Sequence, residues 1–151
     1  MTRAGAETMR LQGEMQLFLD ALGARADDER LQPVLDLPGD TTDTAESRGP
    51  DGHVFQLVAR RGGTEFLFGA GRLVAVFVGT QPREAWGAYP RADALIDGLS
   101  GTASRAEVRA RFGDPDWHTD AADRYRAGED HLQLQYRDDR IEVMVAAIGE
   151  R

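Results

Sequence analysis

The apolar positions of this chain fall into two periods. Leu11, Met15, Phe18, Leu19 and Leu22 are spaced i, i+4, i+7, i+8 and i+11, one face of a 3.6-residue repeat, and predict an amphipathic helix over Thr8–Leu22 with Gly23 as its stop. From His53 the period changes to two. His53–Arg60, Thr64–Phe68 and Arg72–Val78 read as strands, with Phe55, Leu57 and Ala59 on one parity and Phe66 and Phe68 on one parity of the next. The links Arg61-Gly62-Gly63 and Gly69-Ala70-Gly71 are short enough for antiparallel hairpins. Val74–Val78 is apolar at every position and predicts a central strand covered on both faces. Ser104, with Glu107 three residues on, opens a second helix carrying Val108 and Phe112, and Gly113 followed by Asp114-Pro115 closes it. Three more strands follow at Asp123–Ala127, His131–Arg137 and Arg140–Ile148; in the middle one Leu132, Leu134 and Tyr136 alternate with glutamines.

The two sets of strands superpose at a constant offset of 68 residues without a gap: Leu57 on Tyr125, Phe66 on Leu134, Phe68 on Tyr136, Arg72 on Arg140, Leu73 on Ile141 and Ala75 on Val143. The expected architecture is therefore α+β, two tandem units of one helix plus a three-stranded antiparallel meander sharing one core. The 151 residues form a single domain in this reading. A first unit spans 1–80 with an acidic insertion at 25–52, a connector spans 81–98, and a second unit spans 99–151. Gly39–Gly52 has almost no large apolar residue and reads as a long exposed loop.

Charge narrows the function. The chain carries 26 acids against 18 basic residues, all arginine, for a net −8, which argues against a nucleic-acid binder. Residues 20–51 hold nine acids and three arginines, and residues 114–139 hold eight acids and three arginines. Residues 52–113 come out at +3, with Arg105, Arg109 and Arg111 on the second helix. Acidic surface of this kind steers a cationic partner. There is no cysteine, hence no disulfide and no thiolate chemistry. No apolar run approaches the roughly 18 residues of a membrane span and no signal-peptide core opens the chain, so a soluble cytoplasmic protein is expected.

Candidate chemistry is sparse. His53, His118 and His131 sit at no metal-ligand spacing. Asp114, Asp116 and Asp120 crowd around His118, but the turn glycine and alternate acids of a calcium loop are missing. The serines lack a nucleophile elbow, and the glycine-rich pieces are hairpin turns. No catalytic residue, metal or cofactor is expected. Large aromatics in connecting segments are candidate interface anchors. The expected partner-binding residues are Trp86, Tyr89 and Trp117 with Asp114, Asp116 and Asp120, and with Asp40, Asp43 and Glu46 in the acidic insertion.

The stretches Leu95-Ile96-Asp97-Gly98-Leu99-Ser100, Ser104-Arg105-Ala106-Glu107-Val108 and Arg111-Phe112-Gly113-Asp114-Pro115 resemble the opening of the helix–meander unit of the BamE/SmpA-like fold and of the β-lactamase inhibitor proteins. The latter carry two such units in tandem. The likeness covers about 50 residues, Leu95 to Ile148, and the first half only by architecture. The chain departs from both families in having neither a lipobox cysteine nor a cysteine pair. Gly71-Arg72-Leu73-Val74-Ala75-Val76-Phe77 and Gly87-Ala88-Tyr89-Pro90 are similar to small cytoplasmic immunity proteins of actinobacterial polymorphic toxin systems. That resemblance implies a non-enzymatic inhibitor, alone or as a heterodimer with its toxin. Such a protein would occlude the active site of one cationic toxin, such as a nuclease, and mimic its anionic substrate. The alternative it leaves is a BamE-like structural or assembly scaffold, with a small-molecule binder or hydrolase third.

Overall fold

The computed structural model describes residues 11–39, 43–49 and 52–149. Helix α1 (Glu14–Ala21) is shorter than the periodicity predicts. Its apolar stripe is nonetheless the expected one: Leu11, Met15, Phe18, Leu19 and Leu22 are all buried. Residues 8–10 lie outside the described residues. Gly23, at φ 88°, turns the chain out of the helix and donates its N–H to the Leu73 carbonyl at 2.8 Å. A 3-10 turn at Glu29–Leu31, capped by the Asp28 carboxylate on the Arg30 N–H, runs into the one-turn helix α2 (Gln32–Leu35). Leu31 from this segment is buried in the core.

Eight strands follow: β1 (Asp43–Gly49), β2 (Gly52–Ala59), β3 (Thr64–Gly69), β4 (Arg72–Gly79), then β5 (Trp117–Thr119), β6 (Ala122–Ala127), β7 (Asp130–Arg137) and β8 (Arg140–Ala147). They make one antiparallel sheet in the order β1-β2-β3-β4-β8-β7-β6-β5. Six of the eight are the strands that the alternating pattern predicts. The other two correct it. β1 lies within the stretch expected to be a loop, pairing from Asp43 against Val58 to Gly49 against Gly52. Its sequence alternates polar with small residues, so no apolar face announces it, and it sits at an edge where backbone pairing suffices. β5, in the charged run after Pro115, is a three-residue strand at the opposite edge. Each half of the sheet therefore has four strands, not three.

The halves share details at a fixed spacing. The β3–β4 ladder shifts register between Leu67 and Phe68, and the β7–β8 ladder between Gln135 and Tyr136, 68 residues later. The hairpin tips Ala70-Gly71 and Asp138-Asp139 both have positive φ, as a tight right-twisted turn demands. The Leu73 N–H donates to Ala24 at 2.9 Å and the Ile141 N–H to Ala103 at 3.0 Å.

Helix α3 (Arg105–Phe112) opens with a complete capping box. The Ser104 Oγ accepts the Glu107 N–H at 3.1 Å, and a Glu107 carboxylate oxygen accepts the Ser104 N–H at 2.9 Å. Ser104→Ala removes one of these bonds and is expected to cost about 1 kcal/mol, read from the urea midpoint at unchanged slope.

The helices among the described residues pack against one face of the sheet. There Phe66, Phe68, Leu73, Val76, Leu132, Leu134, Ile141 and Met144 join Met15, Phe18, Leu31 and Val108 in one core. The other face contributes nothing to that cluster.

Candidate functional site

Cross-strand register defines the second face. Residues directly opposite in an antiparallel ladder share a side of the sheet. One row across seven strands is therefore Val58, Glu65, Phe77, Val145, Gln133, Arg124 and Trp117. The row beside it holds Gln56, Leu67, Ala75, Ala147, His131 and Arg126. β4 and β8 make the centre of this face apolar, β7 and β6 add amide and cationic side chains, and β3 adds the Glu65 carboxylate. On this face Val58, Ala75, Val143 and Val145 are buried, while Leu67, Val74 and Phe77 are half-buried. Among the described residues no helix supplies the cover expected for Val74–Val78, and the turn at 83–86 lies beside Phe77 and Val143.

That turn carries Trp86. Arg83 and Trp86 close it with reciprocal backbone hydrogen bonds of 3.0 and 2.6 Å, and Gly87 ties it to the β2–β3 turn through Arg60 at 2.9 Å. The Trp86 ring is met by the guanidinium groups of Arg60 at 4.9 Å and Arg83 at 5.6 Å. Between the turn and the sheet lies a cavity of about 440 Å³, lined by Glu65, Phe77, Arg83, Glu84, Trp86 and Val143 among others. Burial pushes the Glu65 carboxyl up, against the pull of Arg83, and the Gln56 amide donates a hydrogen bond to it. On the same face His131 is half-buried, with its Nδ1 shut off from solvent and unbonded. Desolvation, reinforced by Arg124 and Arg126, pulls its pKa down and keeps the ring neutral at pH 7.

The other sequence-expected residues scatter. Trp117 is 43% exposed at the far edge, with Arg124 stacked 4.7 Å from its ring. Asp114, Asp116 and Asp120 are exposed beside it, but an Asp116 carboxylate oxygen already accepts the Arg126 N–H at 2.7 Å. Asp43 and Glu46 are on β1, at the opposite edge of the sheet. Asp40 lies outside the described residues. The two acidic segments are thus separated by the full width of the sheet. Tyr89 is only 2% exposed: its hydroxyl donates to Glu14 and its ring meets Phe18 edge-on at 6.0 Å. It is a core residue and offers no surface to a partner.

The arginine cluster of α3 is likewise not free surface. Arg105 and Arg109 both reach Asp123, each with an Nη2–oxygen distance of 2.8 Å, and the Tyr136 hydroxyl adds a third donor at 3.0 Å. Asp123 is fully buried. Its alternation with Tyr125 was the available signal, because an acid on the core parity must find cations.

Among the described residues no group of three or more histidines and carboxylates is arranged to hold a metal ion. No helix among them is long and apolar enough to cross a membrane. No family profile, curated protein or solved structure matches this chain.

Proposed function

We propose that this chain is a protein-binding inhibitor, an immunity-type protein whose sheet face opposite the core seats on one partner protein and blocks its active site. The observation that carries the reading is that face. β4 and β8 are apolar on both sides, the helices among the described residues pack on only one of them, and Trp86 and Trp117 border the other. A sheet whose second side combines an apolar centre, aromatic borders and a polar rim has the anatomy of a protein interface. The acids at β1 and at Asp114–Asp120 then frame the contact from both edges, where they steer a cationic partner rather than pair with it directly.

The tandem architecture supports a broad face. In this reading the chain repeats a unit of helix plus four strands, and the symmetry of the sheet order follows from joining the two at β4 and β8. The bridge of Arg25 to Arg72 matches that of Ser104 to Arg140, so the counterpart of α3 is the short 29–35 segment and not α1.

The test is co-expression with the product of the neighbouring gene, with complex capture and growth rescue. Trp117→Ala is expected to weaken the complex about 30-fold, on the scale of an aromatic anchor. Leu17→Ala, 46% exposed on the helix side, should leave it unchanged. The reverse pattern places the partner on the helices and overturns the reading; a stable complex without rescue leaves a scaffold role instead.

A further inference from the structure

The cavity beside Trp86 is a built recess with more carboxylates than guanidinium groups in its lining. Its walls are fixed by backbone. Gly63, at φ +63°, lets the β2–β3 turn approach so closely that a Cβ there would lie 2.4 Å from the Gly87 carbonyl. Glu84 holds φ 37°, a left-handed conformation that a glutamate adopts at a cost, and it does so in the cavity wall. The lining holds two carboxylates, Glu65 and Glu84, and one guanidinium, Arg83, while a second guanidinium, Arg60, sits over the Trp86 ring rather than in the lining. Among the described residues neither carboxylate is ion-paired, and Arg83 is drawn aside. Its guanidinium lies over the Trp86 ring and against Gly79, where a Cβ would come within 3.3 Å of its Nη2. The Arg83 Nε is shut off from solvent without a hydrogen-bond partner. A group entering from the open face therefore meets carboxylate oxygens beside an apolar floor of Phe77 and Val143.

We infer that this recess receives a lysine or arginine side chain of the partner protein, paired with Glu65 and Glu84. The inference rests on the binding role proposed above and names the chemistry of its central anchor. Charge complementarity selects the occupant: an aliphatic stem suits Phe77 and Val143, and a cationic end supplies what the two carboxylates lack. Glu65 is already half-desolvated before anything binds, so little further cost attaches to covering it, and an entering cation would oppose the upward push of burial on its carboxyl.

The experiment is a nitrogen–proton NMR titration of the whole chain with three small probes: N-acetyl-argininamide, its uncharged citrulline isostere and N-acetyl-aspartamide. The arginine compound should give saturating shifts at the Trp86 indole and at Gln56 and Glu65. These should be about tenfold weaker with citrulline, absent with aspartamide, and lost in Glu65→Gln, whose side chain keeps the shape and the bond to Gln56. Equal response to citrulline, response to the anionic probe, or no response at these residues overturns the assignment. In the partner complex, Glu65→Gln should weaken binding about tenfold. If Trp117→Ala weakens the complex and Glu65→Gln does not, the recess is not the anchor but the binding face stands; if neither weakens it, both fall.

Discussion

Asp123→Ala is expected to lower stability at pH 7 by about 3 kcal/mol or more, one of the two largest losses in the chain. The carboxylate has no exposed surface and accepts four arginine hydrogen bonds, from Arg105 Nε and Nη2 at 3.3 and 2.8 Å and from Arg109 Nε and Nη2 at 3.1 and 2.8 Å. Arg105 goes on to the carbonyls of Thr119, Asp120 and Ala122 at 2.6, 2.8 and 3.0 Å, so one side chain fastens α3 to the β5–β6 turn. Alanine leaves two guanidinium groups facing each other with nothing between them. Their side chains retain 20% and 37% exposure, so water relieves part of the cost and sets the loss near the lower end of the range for a broken buried pair. Asp123→Asn keeps the shape and some of the bonds and should lose less. A difference below 1 kcal/mol between wild type and Asp123→Ala in urea unfolding would mean that α3 is held by Val108 and the cap alone.

The same cluster sets an acid limit. Burial by itself would raise the Asp123 carboxyl, but hydrogen bonds from Arg109, Arg105 and Tyr136 outweigh it and hold the group at about 2, below its ordinary 3.8. A folded-state value below the unfolded one means the stabilisation is complete above the unfolded value and is lost as pH falls from about 4 to about 2. Asp123→Asn has no proton to take up at this position, so the stability gap between it and wild type should close across that window.

What the sequence made legible follows from where an apolar pattern was present. β2, β3 and β7 carry one side-chain parity of Phe, Leu and Tyr, β8 is a run of Ile, Val, Met and Ala, and the links between them are short, so strands and register are legible directly. β1 could not be read, because Thr44, Glu46 and Arg48 on one parity and Ala45 and Ser47 on the other leave no face to recognise. Site residues were harder, because a site is a fact about long-range contacts. Tyr89 looked like a loop aromatic until α1, 75 residues earlier in sequence at Glu14, closed over it. Arg105 and Arg109 looked like a basic patch, and Asp123, 14 to 18 residues on, neutralises them. The two acidic runs are legible in the sequence, but not that the strand order sends them to opposite edges of the sheet. Conversely, the apolarity of Val74–Val78 on both parities is visible in the sequence, but not that among the described residues the helices pack on only one side of it, with Trp86 and Trp117 bordering the other.

Phe18→Ala is expected to cost about 3–5 kcal/mol, matching or exceeding the Asp123 loss by a different route. An eight-residue helix has no stability of its own in water, so α1 persists only through what it buries. Phe18 is completely buried, with its ring 5.9 Å from Phe66 on β3 and 6.0 Å from Tyr89 in the connector. It therefore joins three parts of the chain at one point. The hydrogen bond of 2.9 Å from the Met15 N–H to the Leu95 carbonyl, and the paired bonds of Arg91 to Glu14 at 2.9 and 3.0 Å, fix α1 to that connector and keep it from sliding into the void. The cavity then stays largely open, which is the condition for the upper part of the range. Leu17→Ala, one residue away but 46% exposed, should change stability by less than about 0.5 kcal/mol, so a calorimetric comparison of the two separates burial from helix propensity. The void opens on the helix side of the sheet, away from Trp86 and Trp117. The folded fraction of Phe18→Ala should accordingly keep its affinity for a partner on the other side, whereas Trp117→Ala should lose affinity without losing melting temperature.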